Sequence, residues 1–111
     1  MIRRRAVEPP ARKPHPDPRI EAELQRIISL RKTVARKEEL LAGDHLQITR
    51  MRERLSRRPT WDAATPVRQQ IDGLLAETQT LEHEVTQLHD EIAGRIAKLD
   101  DTDLAWLEDE T

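Results

Sequence analysis

The chain lacks cysteine, phenylalanine and tyrosine, and it has two tryptophans among its 111 residues. Without cysteine there are no disulfides, thiolate nucleophiles or cysteine-based metal sites. With so few aromatic side chains, the interior of an ordinary globular domain is not expected. The sequence also has no long apolar run, which both a secretory signal and a membrane span require. We therefore expect a cytoplasmic protein that does not engage a membrane.

Aliphatic residues recur at heptad spacing and form two ladders. The first ladder is Ile20, Ile27, Val34, Leu41, Ile48 and Leu55. The second ladder is Val67, Ile71, Leu74, Leu81, Val85, Leu88, Ile92 and Leu99. Heptads sustained over this length are typical of long helices that pack together as a coiled coil. The sequence therefore predicts an all-α fold built on a long antiparallel helical hairpin.

Prolines mark the start of each predicted helix. Asp17 is a capping carboxylate, and Pro18 suits the first helical position because it has no N–H to satisfy. Thr65 and Pro66 repeat this pair of signals. We expect the hairpin over 18–99, with helices over about 18–57 and 66–99 and a turn over 58–65.

Gly43 lies within the first predicted helix, where glycine is destabilising by roughly 1 kcal/mol relative to alanine. The phase of the ladder nevertheless continues from Leu41 to Ile48. A continuous helix is therefore favoured over a helix that kinks at the glycine.

The hairpin leaves apolar surface on the second helix without a partner. When residues whose numbers sum to 119 lie opposite each other, Val34 faces Val85. In the same register Arg31 faces Leu88, which leaves a leucine against a charged side chain. We therefore expect an oligomer, with a dimer favoured. The expected oligomer seam is Ile71, Leu74, Leu81, Val85, Leu88, Ile92 and Leu99.

Charge is segregated along the chain. Residues 1–19 and 20–58 each have a net charge of +4, whereas residues 59–99 have −4 and residues 100–111 have −6. Opposite signs on the two helices favour the folded-back pairing over competing registers. An acidic stripe with heptad spacing on the second helix is Glu77, Glu84 and Glu91. Its expected partners on the first helix are Arg31, Lys37 and Arg52.

The N-terminal arm, residues 1–17, combines prolines with basic side chains, a composition typical of disordered segments. Its cations suit an acidic surface on a partner protein. The residues expected to bind that partner are Arg3, Arg4, Arg5, Arg12 and Lys13. Two other interpretations are a solvated tail without a partner and an arm that folds back on the acidic C-terminal tail.

The acidic tail, residues 100–111, contains a short helical pattern over residues 101–108. A tryptophan and two leucines in acidic surroundings resemble a docking peptide, whose aromatic side chain fills a pocket of the partner. The residues expected to dock are Leu104, Trp106 and Leu107. The alternative is that Trp106 covers the open end of the bundle. Trp61, at the hairpin turn, has the same two interpretations.

Catalytic motifs are weak throughout the sequence. His83 and His89 are six residues apart, so their rings lie about 120° apart around a helix and cannot share a metal ion. Ser29 and Lys32 match the bare S-x-x-K spacing of acyl enzymes without the companion motifs. No glycine-rich phosphate loop occurs. We expect no enzymatic activity, no cofactor and no bound metal.

These features predict a non-enzymatic adaptor or assembly scaffold that oligomerises and docks partner proteins through its charged termini. In layout, with a basic arm and a C-terminal tryptophan, the chain resembles small adaptors that stimulate ParA-type positioning ATPases, including carboxysome-positioning adaptors. That resemblance implies an ATPase partner for the arm. Phage or secretion-apparatus structural proteins and export chaperones have similar compositions and are alternatives. Non-specific nucleic-acid binding through the arm and the first helix is another.

Overall fold

The computed structural model describes residues 12–57 and 61–108, except for the side chains of residues 61–63 and 108. All regular secondary structure in these ranges is helical. The three helices are α1 (Pro18–Ser56), α2 (Trp61–Ala97) and α3 (Asp101–Glu108). The all-α prediction is therefore confirmed for the described part of the chain. Within the same ranges, none of the helices offers the length of apolar side chains that crossing a lipid bilayer requires.

A cap at Asp17 fixes the start of α1. The Asp17 carboxylate accepts a hydrogen bond from the backbone N–H of Arg19 at 2.9 Å, and its backbone carbonyl accepts one from Glu21 at 2.9 Å. The first of these bonds satisfies an amide that has no partner within the helix. Pro18 occupies the first helical position, where its missing N–H has no cost. The helix then continues through Gly43.

The start of α2 differs from the prediction. The expected turn over 58–65 is wrong for residues 61–65, because α2 begins at Trp61 and contains Pro66 within it. A proline inside a helix lacks the N–H that would bond to the carbonyl four residues earlier. Here that carbonyl lies in the first turn of α2, and the proline itself is exposed. The longer helix also buries Ala64, which is 5% exposed.

A second cap separates α3 from α2, which ends at Ala97. The Asp100 carboxylate accepts the backbone N–H of Asp103 at 2.8 Å, and the Asp100 carbonyl accepts the N–H of Leu104 at 2.9 Å. These bonds satisfy the amides that the first turn of a helix leaves free. The short helix expected in the acidic tail therefore begins directly after a capping aspartate.

The contacts divide the chain into two units. Unit 1 contains the described residues 12–31 and 91–108, and unit 2 contains 32–57 and 61–90. Both units include parts of α1 and α2, whereas α3 belongs to unit 1. The division falls within the helices and does not coincide with the three segments expected from composition.

In unit 1, the start of α1 runs antiparallel to the end of α2. Arg95 binds Glu23 at 2.9 Å, and Glu91 lies 3.9 Å from Arg26. The paired residue numbers therefore rise on α1 as they fall on α2. The buried apolar residues of this unit are Leu24, Ile27, Leu30, Ile92 and Leu107.

In unit 2, α1 and α2 are also antiparallel. Lys37 binds Glu84 at 3.2 Å, and His45 lies 3.8 Å from Glu82. The buried residues of this unit are Val34, Ile48, Ala64, Ile71, Thr78 and Leu81. The direction of pairing in each unit is consistent with the predicted helical hairpin.

The predicted oligomer seam is partly covered within the single chain. Ile71, Leu81 and Ile92 are buried. The other members are half-buried, and they are Leu74, Val85, Leu88 and Leu99. Within the predicted seam, accessible apolar surface therefore remains on these four residues.

Candidate functional site

The predicted docking residues of the tail lie on α3. Leu107 is buried at 4% exposure, whereas Leu104 and Trp106 are half-buried. Of the predicted basic docking residues, Arg12 and Lys13 fall within the described ranges, and the Lys13 side chain is exposed. Residues 1–11 lie outside the described residues. The basic residues predicted there are Arg3, Arg4 and Arg5.

Residues 12–17, here called the strap, contact both α1 and α3. The Arg12 side chain is 4% exposed and forms an ion pair with Glu21 of α1. One of its terminal N–H groups also donates to the Trp106 carbonyl at 3.4 Å. The sequence offered Arg12 as a cation for another protein, but its guanidinium is occupied by groups of its own chain. The alternative of an arm that folds back on the tail describes this arrangement.

His15 is the centre of the strap. Its Nδ1 accepts the backbone N–H of Asp17 at 2.9 Å, so the ring proton of the neutral imidazole is on Nε2. Nε2 then donates to the Asp103 carboxylate of α3 at 2.9 Å. The ring also packs edge-on against the Trp106 indole, with the centroids 5.1 Å apart. His15 therefore links the N-terminal segment to the predicted docking helix.

Glu21 anchors the strap to the first turn of α1. Its carboxylate accepts the His15 backbone N–H at 2.8 Å and the Gln25 side-chain amide at 2.8 Å. Burial acts to raise the pKa of this carboxyl, but the donors on His15, Gln25 and Arg12 together lower the pKa below its ordinary value of 4.5. Glu21 is thus held as a carboxylate, which is the form that binds Arg12.

The cluster formed by the strap, Glu21, Asp103 and Trp106 also contains an unsatisfied donor. The Nε of Arg12 is buried and has no hydrogen-bond partner among the described residues. A buried polar group without a partner costs roughly 1–3 kcal/mol. This cost offsets part of the stabilisation from the other Arg12 contacts.

The acidic stripe of α2 meets both signs of charge. Glu84 pairs with Lys37, one of its predicted partners, at 3.2 Å. Glu91 instead accepts from Arg95 of its own helix at 3.0 Å, and Arg95 also binds Glu23. The hydrogen bonds to Glu23 and then to Glu91 raise the pKa of Arg95.

Glu77, the remaining member of the stripe, faces Asp44 of α1. A hydrogen bond between the two carboxyl groups and their mutual repulsion raise the pKa of Glu77. One carboxyl oxygen of Asp44 is buried and has no hydrogen-bond partner among the described residues. Simultaneous ionisation of the two carboxyl groups is therefore unfavourable within unit 2.

The sequence-based interpretation missed several residues that the fold uses. Leu24 and Leu30 are buried, although neither belongs to the first ladder. His15 carried no expected role, because a proline-rich segment gives no periodic signal. Its partners follow from the position of α3, and the one available hint was the opposite charge of arm and tail.

Comparisons with known proteins do not assign the chain to a class. No protein family, curated protein or solved structure matches it. Among the described residues, no group of three or more His, Asp or Glu side chains is placed to hold a metal ion.

Proposed function

We propose that this chain is a non-enzymatic helical adaptor or assembly scaffold that docks a partner protein through α3. The observation that supports docking is the half-burial of Leu104 and Trp106 in a helix flanked by acidic residues. A tryptophan that retains accessible surface is a usual anchor for a pocket in a partner. Carboxylates around it steer association toward a pocket with a basic rim.

Self-association is the second part of the proposal. The half-buried residues of the predicted seam offer apolar side chains to a second copy at coiled-coil spacing. Leu46 and Leu75 in unit 2 are exposed and add apolar surface. A dimer with two docking helices gains avidity for a partner that also carries repeated sites.

Co-purification from the native cells tests the docking part. Tagged wild-type chain, Trp106→Ala and Asp101→Asn are compared, with Asp101 chosen because it is an exposed acid on the same helix. Wild type and Asp101→Asn are expected to recover the same partner, and Trp106→Ala is expected to lose it. Identical recovery with all three chains would contradict docking through Trp106.

Sedimentation equilibrium tests self-association. The full chain is expected at twice the monomer mass at micromolar concentration, and Leu88→Glu is expected to shift it toward monomer because a carboxylate cannot be buried without a partner. Thr86→Glu, at an exposed position two residues earlier, is the control. A wild-type chain that remains monomeric at this concentration would exclude the dimer.

A second candidate function is nucleic-acid binding. It is supported by the exposed basic side chains of α1 in unit 2, which include Lys32, Arg36, Arg50, Arg52 and Arg54. Phosphate contacts release counterions, so such binding is strongest at low salt. Binding to generic duplex DNA that is undetectable at about 50 mM salt would exclude this function.

A further inference from the structure

The surface of α3 that docking requires is partly covered by the strap. The His15 ring lies against the Trp106 indole at a centroid separation of 5.1 Å. The buried Arg12 guanidinium reaches the Trp106 carbonyl at 3.4 Å. A protein that takes this indole into a pocket therefore displaces the His15 ring, and movement of the Trp106 backbone breaks the Arg12 contact.

The strap is bonded to two helices at once. On one side, Glu21 of α1 accepts the His15 backbone N–H at 2.8 Å and pairs with Arg12. On the other side, Asp103 of α3 lies 2.9 Å from the His15 ring nitrogen. Separation of α3 from the start of α1 breaks these contacts. The strap thus opposes any movement that fully exposes Trp106.

We propose that the strap is an autoinhibitory contact, which holds α3 against α1 and withholds Trp106 from a partner protein until the strap is displaced. This rests on the proposed docking function of α3 and adds its regulation. The partner that fits is a protein with an apolar pocket and basic side chains at its rim. Its cations replace Arg12 and His15 opposite Glu21 and Asp103.

The chemistry of the strap is suited to displacement. Apart from the edge of the His15 ring, the strap contacts described above are hydrogen bonds and ion pairs. Those that involve a charged group each contribute more to stability than a neutral hydrogen bond does, and they can be exchanged for equivalent bonds to water or to a partner. The buried Nε of Arg12, unpartnered among the described residues, weakens the closed arrangement. Displacement of the strap therefore exchanges polar contacts for other polar contacts, which the cations of a partner can supply.

Hydrogen exchange on full-length variants tests the proposal through substitutions within the strap. The double variant Arg12→Ala/His15→Ala removes both contacts to Trp106. Lys13→Ala removes one positive charge, as the double variant does, but from an exposed position in the same segment. The α3 amides are expected to exchange at least ~10-fold faster in the double variant and at the wild-type rate in Lys13→Ala. Amides around Leu81 in unit 2 should keep their rates and so report intact folding.

Acrylamide quenching tests the proposal through substitutions in α3. Asp103→Asn removes the charge that faces His15, and Asp101→Asn makes the same change at an exposed position in the first turn of α3. All chains carry Trp61→Phe, so that the signal reports Trp106. The quenching constant is expected to rise about twofold in Asp103→Asn, because local opening exposes the indole. Asp101→Asn is expected to match the reference chain.

Two results would overturn the proposal that the strap is an autoinhibitory contact. One is exchange of the α3 amides at the same rate in wild type and the double variant. The other is equal acceleration in Lys13→Ala, which would show a general effect of charge. Neither measurement involves a partner, so the two proposals fail separately. Unchanged partner recovery with Trp106→Ala would refute docking through α3. Unchanged amide exchange in the double variant would refute the autoinhibitory role of the strap.

Discussion

Unit 1 and unit 2 use the same two helices but bury their apolar residues to different degrees. Leu24 and Ile27 in unit 1 are 0% exposed, whereas Leu40 and Leu46 in unit 2 are 57% and 51% exposed. In unit 1 the strap and α3 add to the two long helices. In unit 2 every described residue except Arg57, which follows α1, belongs to α1 or α2. Two packed helices each bury one apolar stripe, and side chains off that stripe stay exposed, as Leu40 and Leu46 do.

The electrostatic contacts also differ between the two units. In unit 1 opposite charges meet, as in the pairs of Arg95 with Glu23 and Arg12 with Glu21. In unit 2 the pair of Lys37 with Glu84 is accompanied by two facing carboxyls, Asp44 and Glu77. Unit 1 therefore encloses its best-buried leucine and isoleucine more completely and pairs opposite charges, although each unit keeps one buried polar atom without a partner among the described residues.

Leucine truncation on α1 gives the largest expected contrast between the units. Leu24→Ala should lower the free energy of unfolding by about 2–5 kcal/mol, because it leaves a cavity in a fully enclosed site. Leu46→Ala should change it by less than about 0.5 kcal/mol, because this side chain is already exposed. Urea denaturation measures both values. Similar losses for the two variants would contradict the difference in burial.

Replacement of Gly43 should stabilise unit 2. A Cβ built at this position has no atom within 4 Å, so alanine fits without a clash. Gly43→Ala is expected to raise the free energy of unfolding by about 0.5–1 kcal/mol, since glycine is a poor helix former. The reverse change at the exposed neighbour Ala42, Ala42→Gly, should lower it by a similar amount. Thermal unfolding of both variants checks the prediction, which a destabilising Gly43→Ala would refute.

Neutralising the acidic stripe should have opposite effects at adjacent heptad positions. Glu77→Gln should stabilise the chain at neutral pH, because it removes the repulsion with Asp44. Glu84→Gln should destabilise it by less than about 1 kcal/mol, because it removes a surface ion pair with Lys37. Urea denaturation at pH 7 compares the two variants. A loss of stability in both would show that Asp44 and Glu77 do not repel each other in the folded chain.

Acid should strengthen unit 2 before it weakens unit 1. The pKa of Glu77 is raised by its hydrogen bond with Asp44. The folded chain therefore holds this proton more tightly than the unfolded chain. The resulting stabilisation is complete below the ordinary value of 4.5 and is lost as the pH rises through the folded value. Glu21, with its lowered pKa, contributes stability above 4.5 that is lost as the pH falls through its folded value.

Hydrogen-exchange protection, corrected for the intrinsic effect of pH, measures this difference. As the pH falls from about 7 to about 4.5, amides of α2 near Glu77 should gain protection, and those of α1 near Glu21 should not. The gain should disappear in Glu77→Gln. If that variant gains as much as wild type, another group is responsible.

The heptad ladders predicted those buried residues that recur at seven-residue spacing. Ile27, Val34 and Ile48 belong to the first ladder and are buried. Leu24 was missed because the positions seven and fourteen residues later are Arg31 and Glu38, so no ladder passes through it. Leu24 is nevertheless fully buried in unit 1.

The docking residues of the tail were found from composition, whereas the strap was not. Acidic residues around Trp106 identify a candidate docking helix in the sequence alone. The proline-rich segment that carries His15 has no secondary structure of its own, so its position depends on where α3 lies. The helical start at Trp61 was missed because Pro66 gives a strong local signal for a first helical position, whereas the structure places it inside α2.

A nuclear Overhauser measurement between the His15 ring and the Trp106 indole in the full-length chain tests whether the strap packs against α3. Their centroids are 5.1 Å apart, so contacts between ring protons are predicted in the wild type. They should persist in Lys13→Ala and weaken in Asp103→Asn, which keeps a hydrogen-bond acceptor for His15 but loses the charge. Absence of these contacts in the wild type would contradict closure of unit 1 by the strap.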